Sequence, residues 1–244
     1  MDHFKAARLK VDRSNKHIAD LDSAIQSLPD RYISTVEVNP EGTRLKYVLP
    51  EEESILAEFG LMIGDCIHNL RTALDYAWGG AVQRFSLTWL YDDTIFPIRK
   101  TEKGLRETLN KGRIESAAPN LFKRIVVDIK PYAGGNDSLF RLHGLDNQDK
   151  HSLLIPILNV TVIKGLVVEN QQGEIFSGDN SLITKRSPHV IEIPANHQVK
   201  DHGKPSVGVL FENGLAMEHF DVRDMLQVFA VRTIEAIEIL QYVY

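Results

Sequence analysis

Six side chains in two short segments have the types and spacing needed for acid–base chemistry: His68, Arg71, Asp75, Asp149, Lys150 and His151. Cleavage of an RNA phosphodiester bond without a metal ion needs a base for the 2′-hydroxyl, an acid for the leaving oxygen and a cation for the phosphorane charge. Histidine titrates near neutral pH, so the two histidines can supply the base and the acid. Arg71 or Lys150 would supply the cation, while Asp75 or Asp149 would orient an imidazole. Metal-independent RNA cleavage is therefore the leading enzymatic hypothesis.

Two other interpretations fit the same side chains. A metal site would draw on a mixed nitrogen and oxygen set: His68, Asp65 or Asp75, Asp149 and His151. No HExxH spacing supports that set, and the adjacent cations oppose a metal ion, so we assign neither a metal nor a cofactor. Alternatively, the polar side chains form a buried network that fixes how two helices cross. The chain would then be a non-catalytic interaction module.

The first segment, HNLRTALD, lies on a long predicted helix. Apolar residues recur at three- and four-residue steps from Ile55 to Ala77 and form one broad stripe. At 100° per residue, His68, Arg71 and Asp75 fall within about 60° of one another on the opposite side. The simplest prediction for this second face is exposure to water.

Three other residues of this helix argue against simple exposure. Gly60 and Gly64 flank the polar face, where each costs about 1 kcal/mol relative to alanine and is tolerated if another segment passes close by. Trp78 also lies nearby, and an exposed tryptophan is unusual. We therefore expect this helix to be packed on both sides, with a polar layer in one contact.

The predicted partner is the segment LHGLDNQDKHSLLIPI, residues 142–157. As a helix it places four polar side chains on one face: His143, Asn147, Lys150 and His151. Asp146 and Asp149 flank that face. A solvated turn in which Asp146 and Lys150 form an i,i+4 ion pair is the other interpretation of this segment.

The two motifs together resemble those of a widespread group of uncharacterised bacterial proteins. Members carry a His-Asn-Leu-Arg-x-x-Leu-Asp helix and, about seventy residues later, an Asn-x-x-Asp-Lys-His motif. The corresponding segments here are residues 68–75 and 145–151, with IFPI between them; in the second, one residue rather than two separates Asn147 from Asp149. The resemblance covers roughly residues 50–160 and implies no established reaction.

The chain is also loosely similar to HEPN-type helical domains, many of which are ribonucleases. Those domains use an arginine followed by a histidine on one helix, with four to six other residues between them. No such pair occurs in this chain, where His68 precedes Arg71.

Composition and charge limit the class of protein. The 244 residues are 43% hydrophobic and 25% charged, as in ordinary globular proteins. The single cysteine, Cys66, cannot form an internal disulfide. Without an apolar signal segment or an apolar run long enough for a bilayer, the sequence predicts a cytoplasmic protein with no membrane partner.

A basic segment is the candidate surface for RNA. The net charge is −5, but residues 99–130 contain nine Lys or Arg against four Asp or Glu. Local basic segments can bind phosphate even on an acidic protein. A solvated helix face with mixed charges is the alternative interpretation.

The pattern of elements predicts an α+β protein: a bundle of N-terminal, central and C-terminal helices with an attached antiparallel β-sheet. No linker interrupts residues 1–244, so we expect one domain. Its helical part would cover about 1–152 and 221–244, with a hairpin at 31–49. Its β-rich part would cover about 153–213, including a strand at 181–186. The apolar seam of the first helix makes a homodimer plausible.

Overall fold

A computed structural model describes residues 2–40, 42–87, 95–181, 188–212, 217 and 220–243. The predicted α+β class is confirmed, since helices and antiparallel sheets together make up most of the chain. By their internal contacts the residues divide into two compact units. We call Met1–Leu21, Phe59–Ile155 and Phe211–Tyr244 the helical unit, and Asp22–Glu58 and Pro156–Leu210 the strand unit.

The described helices begin with α1 (His3–Arg31) and α2 (Glu52–Arg84), each of which runs from one unit into the other. The remaining ones are α3 (Glu102–Lys111), α4 (Ile114–Ala117), α5 (Pro119–Lys123), a π-helix (Arg124–Ile129), α6 (Asp137–Asp149) and α7 (Val222–Gln241). The chain passes between the units at four points, and two of them, after Leu21 and after Glu58, fall inside continuous helices, so no linker marks those two in the composition. No helix among the described residues is both long and apolar enough to cross a membrane.

Side-chain caps determine where the helices that position the site begin. The side chain of Asn136 accepts a hydrogen bond from the backbone N–H of Leu139 at 3.2 Å and starts α6. The Asp221 carboxylate accepts from the N–H of Arg223 at 2.9 Å and starts α7. Within the helical unit, leucines of α6 and the apolar stripe of α7 are buried, and these two helices are in contact.

The strand unit contains two antiparallel sheets. In the first, β2 (Gly42–Val48) lies between β1 (Ile33–Asn39) and β5 (His189–Ile193). In the second, β3 (Ile157–Asn170) pairs with β4 (Ile175–Ser181), β6 (His197–Asp201) and β7 (Lys204–Leu210). Their shared core is formed by Leu45, Tyr47, Val160, Ile163, Leu166, Ile191 and Ile193.

The hairpin differs from its expected assignment. The sequence predicted the turn and both strands correctly but grouped them with the helices; instead, β2 pairs with β5 from Thr43↔Ile193 to Tyr47↔His189. Leu45 and Tyr47 are two residues apart on β2, so both side chains lie on the same face of the sheet and are buried there. That face needs an apolar layer opposite it, and β3 provides this layer. Apart from Ser181, the strand predicted at 181–186 lies outside the described residues.

Candidate functional site

The polar face of α2 lies against α6 in antiparallel register. Three pairs define the register: Gly64 with Asp149, His68 with Asp146, and Arg71 with His143. Residue numbers rise along α2 as they fall along α6, so the helices run in opposite directions. The predicted contact between the α2 face and the 142–152 segment is confirmed.

The two glycines of α2 are required by this contact. A Cβ at Gly64 would lie only 2.6 and 2.7 Å from the carboxylate oxygens of Asp149. A Cβ at Gly60 would lie 3.0 Å from the carbonyl oxygen of Leu154. Both positions therefore leave room for α6 and the residues after it, which explains glycine inside a helix.

Arg71 is buried, and each of its three guanidinium nitrogens donates a hydrogen bond. It is 4% exposed, donates from Nη2 to the carbonyl of Phe96 at 3.0 Å, and donates from Nη1 to Asp75. The N–H of Phe96 in turn donates to the same Asp75 oxygen at 2.7 Å. Arg71 and Asp75 thus satisfy both backbone groups of Phe96, whose ring packs at 6.3 Å from that of Trp78. The IFPI segment is held on α2 by this clamp.

Opposing effects act on the pKa of the Asp75 carboxyl. Burial raises the pKa of its carboxyl above the usual range, because a charge is poorly solvated there. The positive charge of Arg71 and the hydrogen bond from Phe96 partly offset that rise. Asp75 is therefore part of a structural ion pair, and no hydrogen bond among the described residues joins it to an imidazole in the role expected for it.

His143 is a neutral histidine of fixed tautomer. Its Nδ1 accepts from Nε of Arg71 at 3.3 Å, and arginine can only donate. The proton then sits on Nε2, which lies 3.2 Å from Nδ2 of Asn147; a donor at Nε2 requires that amide to be turned so that its oxygen faces the ring. Burial lowers the pKa of His143, and the charge of Arg71 lowers it further.

His68, Asp146 and Lys150 form the most accessible part of the site. The Asp146 side chain is only 3% exposed, whereas that of His68 is 57% exposed. Asp146 accepts from Nδ1 of His68 at 3.2 Å and from Nζ of Lys150 at 2.6 Å. Nε2 of His68 faces Thr72 at a long 3.5 Å. The result is an imidazole oriented by a buried carboxylate, with its second nitrogen accessible.

Asp149 lies beside this cluster. Burial raises the pKa of its carboxyl, and the neighbouring carboxylates of Asp146 and Asp65 raise it further. The charge of His68 has a smaller opposite effect, which places the two side chains within electrostatic range. No hydrogen bond joins Asp149 to an imidazole among the described residues.

His151 stands apart from the other candidate residues. It follows α6, its backbone N–H donates to the carbonyl of Gln148 at 2.9 Å, and its side chain is exposed. Among the described residues its imidazole makes no hydrogen bond or ion pair. The network instead recruits Asp146 and His143, which were recognised on or beside the polar face but not selected as site residues.

The basic segment begins next to the site. Three of its acidic residues are neutralised within their own helices by the pairs Arg106–Glu102, Lys103–Glu107 and Arg124–Asp128. Six exposed cations form no salt bridge with any described residue: Arg99, Lys100, Lys111, Arg113, Lys123 and Lys130. Arg99, at the start of the segment, is close enough to lower the pKa of His143.

The part of the chain that the structure describes contains no group of three or more His, Cys, Asp or Glu side chains placed to hold a metal ion. Comparisons with protein-family models, curated proteins and solved structures find no match for this chain. The resemblance of its two motifs to a bacterial group therefore stays a prediction. Any statement about function must start from the geometry.

Proposed function

We propose that the chain cleaves RNA phosphodiester bonds without a metal ion and that His68 is the general base. The single observation that carries this proposal is the exposed imidazole held at Nδ1 by the buried carboxylate of Asp146. A carboxylate that accepts from Nδ1–H leaves Nε2 free to take a proton and stabilises the imidazolium that results.

The reaction uses the 2′-hydroxyl of the substrate as nucleophile. Nε2 of His68 removes its proton, the O2′–P bond forms, and the P–O5′ bond breaks. The leaving 5′-oxygen takes a proton from His151, the acid expected from the sequence, whose exposed imidazole lies outside the hydrogen-bonded network but directly follows Lys150. Lys150, anchored by the second oxygen of Asp146 at 2.6 Å, offsets the charge of the phosphorane. The products are a 2′,3′-cyclic phosphate and a 5′-hydroxyl.

The other predicted residues have supporting roles in this proposal. Arg71 is buried and each of its guanidinium nitrogens donates to a protein acceptor, so it positions α6 and Phe96 rather than contacting phosphate. Asp75 holds Arg71. Asp149 packs on Gly64 and fixes the end of α6 near His68. The unpaired cations of residues 99–130 attract the RNA backbone, since phosphate contacts supply most sequence-independent affinity.

The proposal is tested with two fluorescent oligonucleotides of one sequence, a single-stranded RNA and its all-deoxy counterpart, both in excess EDTA. We expect cleavage of the RNA with 2′,3′-cyclic phosphate ends, identified by mass spectrometry, and no cleavage of the DNA. An intact RNA, or equal cleavage of the DNA, contradicts the proposal because the 2′-hydroxyl is the nucleophile.

A non-catalytic interaction module is the second candidate function. The observation that favours it is the Arg71–Asp75 clamp on Phe96, which is buried and satisfies backbone groups as a structural network does. If the RNA stays intact with the parent protein, this second candidate is the one to pursue.

A further inference from the structure

Strand β1 forms a regular free edge in the strand unit. It pairs with β2 over all seven residues without a register shift, and no described strand lies on its other side. It contains neither proline nor lysine, the residues with which natural edge strands prevent pairing with another chain. Nothing in its sequence blocks the addition of a further strand.

The turn determines which backbone groups point outwards. Asn39 pairs with Gly42 across a two-residue connection, and such a connection closes on a hydrogen-bonded pair. Hydrogen-bonded and non-hydrogen-bonded pairs alternate along an antiparallel ladder. Ser34, Val36 and Val38 therefore direct their N–H and C=O groups away from β2. Apart from the β1–β2 ladder, no backbone hydrogen bond of the described residues involves this strand.

The same edge is apolar. Val38 is 79% exposed, and Val36 and Ile33 are also exposed. Val36 and Val38 pair with Leu45 and Thr43, both of which are buried, so they lie on the sheet face that carries the core. The face of this sheet that is buried at β2 is thus left exposed at β1.

We propose that β1 pairs antiparallel with β1 of a second copy of this chain, about a two-fold axis at Val36. In this register Val36 faces Val36 of the second copy, and Ser34 faces its Val38. All three outward-directed residues of each copy then form hydrogen-bonded pairs, which exchange two bonds each. The two sheets become one continuous sheet of six strands with an isologous interface.

Other registers are less favourable. A shift by one residue sets the core face of one copy against the outer face of the other. A shift by two residues leaves one of the outward-directed residues of each copy without a partner. The proposed register is therefore the one that uses the whole edge.

Charge is compatible with this pairing. Glu37 is the only charged residue of β1, and it contacts Lys46 of its own β2 at 2.5 Å. In the proposed register it faces Thr35 of the second copy, so like charges do not meet. By contrast, the apolar seam of α1 that suggested a homodimer is buried within the chain: Phe4, Ala7, Val11, Ile18, Leu21, Ile25 and Leu28. The surface for a second copy is thus β1 rather than α1.

The first test is the mass in solution of the full chain, measured by analytical ultracentrifugation over a concentration series. Val36→Lys places two lysines opposite each other at the axis, whereas Val231→Lys alters an equally apolar, exposed position on α7. We expect a dimer for the parent and for V231K and a monomer for V36K. A parent that stays monomeric up to about 1 mM overturns the proposal, since the edge then serves another chain or none. A dimer that persists in V36K also overturns it.

The second test places the axis by oxidative cross-linking. Val36→Cys sets two cysteines about 5.5 Å apart between Cα atoms, within the range of a disulfide. Val38→Cys sets them about 14 Å apart across the axis, too far for a bond. The native Cys66 is buried, so the parent serves as the blank. We expect a covalent dimer from V36C alone; its absence, or equal cross-linking of V38C, overturns the register.

Discussion

Replacing Asp75 by alanine removes a carboxylate that serves two buried partners. The N–H of Phe96 is left without an acceptor, which costs about 1–3 kcal/mol in a buried position. The guanidinium of Arg71 also loses its counter-charge, which costs about 3–5 kcal/mol for a fully buried pair. Because the Asp75 side chain is 31% exposed, water replaces part of both interactions. We expect a net loss of about 3 kcal/mol in the free energy of unfolding.

The matched control is Asp128→Ala. Asp128 is 34% exposed and also pairs with an arginine four residues away, but that arginine, Arg124, is 54% exposed where Arg71 is 5% exposed. An exposed pair of this kind contributes only about 0.3–0.5 kcal/mol. The two variants thus differ in the burial of the cation and in the bond to Phe96.

The assay is thermal unfolding followed by circular dichroism. At about 2–4 °C per kcal/mol for a chain of this size, Asp75→Ala should lower the Tm by about 6–12 °C, and Asp128→Ala by no more than about 2 °C. Asp75→Asn keeps an acceptor for Phe96 and should fall between them. Equal shifts for the two alanine variants would refute the assignment of Asp75 to a buried clamp.

The remaining predictions concern pH, nucleic acid and assembly. The folded pKa of His143 is lowered, so the unfolded chain binds an extra proton as pH falls below about 6.5, and folding stability decreases there. His143→Gln, which can still accept from Arg71, should make the free energy of urea unfolding depend less on pH between about pH 6.5 and 5; an unchanged pH dependence would contradict the lowered pKa of His143. Combined Lys100→Glu, Lys111→Glu and Lys123→Glu should weaken RNA binding and reduce its salt slope by about 2, and unaltered affinity would remove residues 99–130 from the RNA surface. For assembly, we expect a dimer formed through the free edge of β1, which ultracentrifugation of V36K and cross-linking of V36C test.

The contact between α2 and α6 could be predicted because it leaves a periodic signal. Gly60 and Gly64 occupy helical positions where glycine is unfavourable, so their presence indicated a close neighbour. Residues four apart share a face, which indicated that α6 carries the complementary polar side. Periodicity predicts which residues share a face of a helix but not how one helix tilts on another. The sequence therefore placed Asp146 at the edge of the contact, whereas the structure buries it.

The backbone partner of Arg71 had no comparable signal. Its guanidinium binds the backbone carbonyl of Phe96, and every residue of the chain has such a carbonyl, whatever its side chain. A sequence pattern therefore cannot identify which loop crosses the helix. The strand β6 left little signal for a different reason: residues 194–206 contain proline, glycine and several polar side chains, a composition typical of a loop. That composition is tolerated because β6 pairs only with β3, at the margin of its sheet.

The central claim is that His68 acts as a base, and single-turnover RNA cleavage in EDTA tests it most directly. The comparison needs the parent, His68→Ala and His17→Ala, the last a partly exposed histidine on α1 outside the site. We predict that His68→Ala lowers the cleavage rate by about 10²–10⁴-fold, the usual contribution of a general base, while His17→Ala cleaves at the parent rate. Cleavage by His68→Ala at the parent rate would contradict the account.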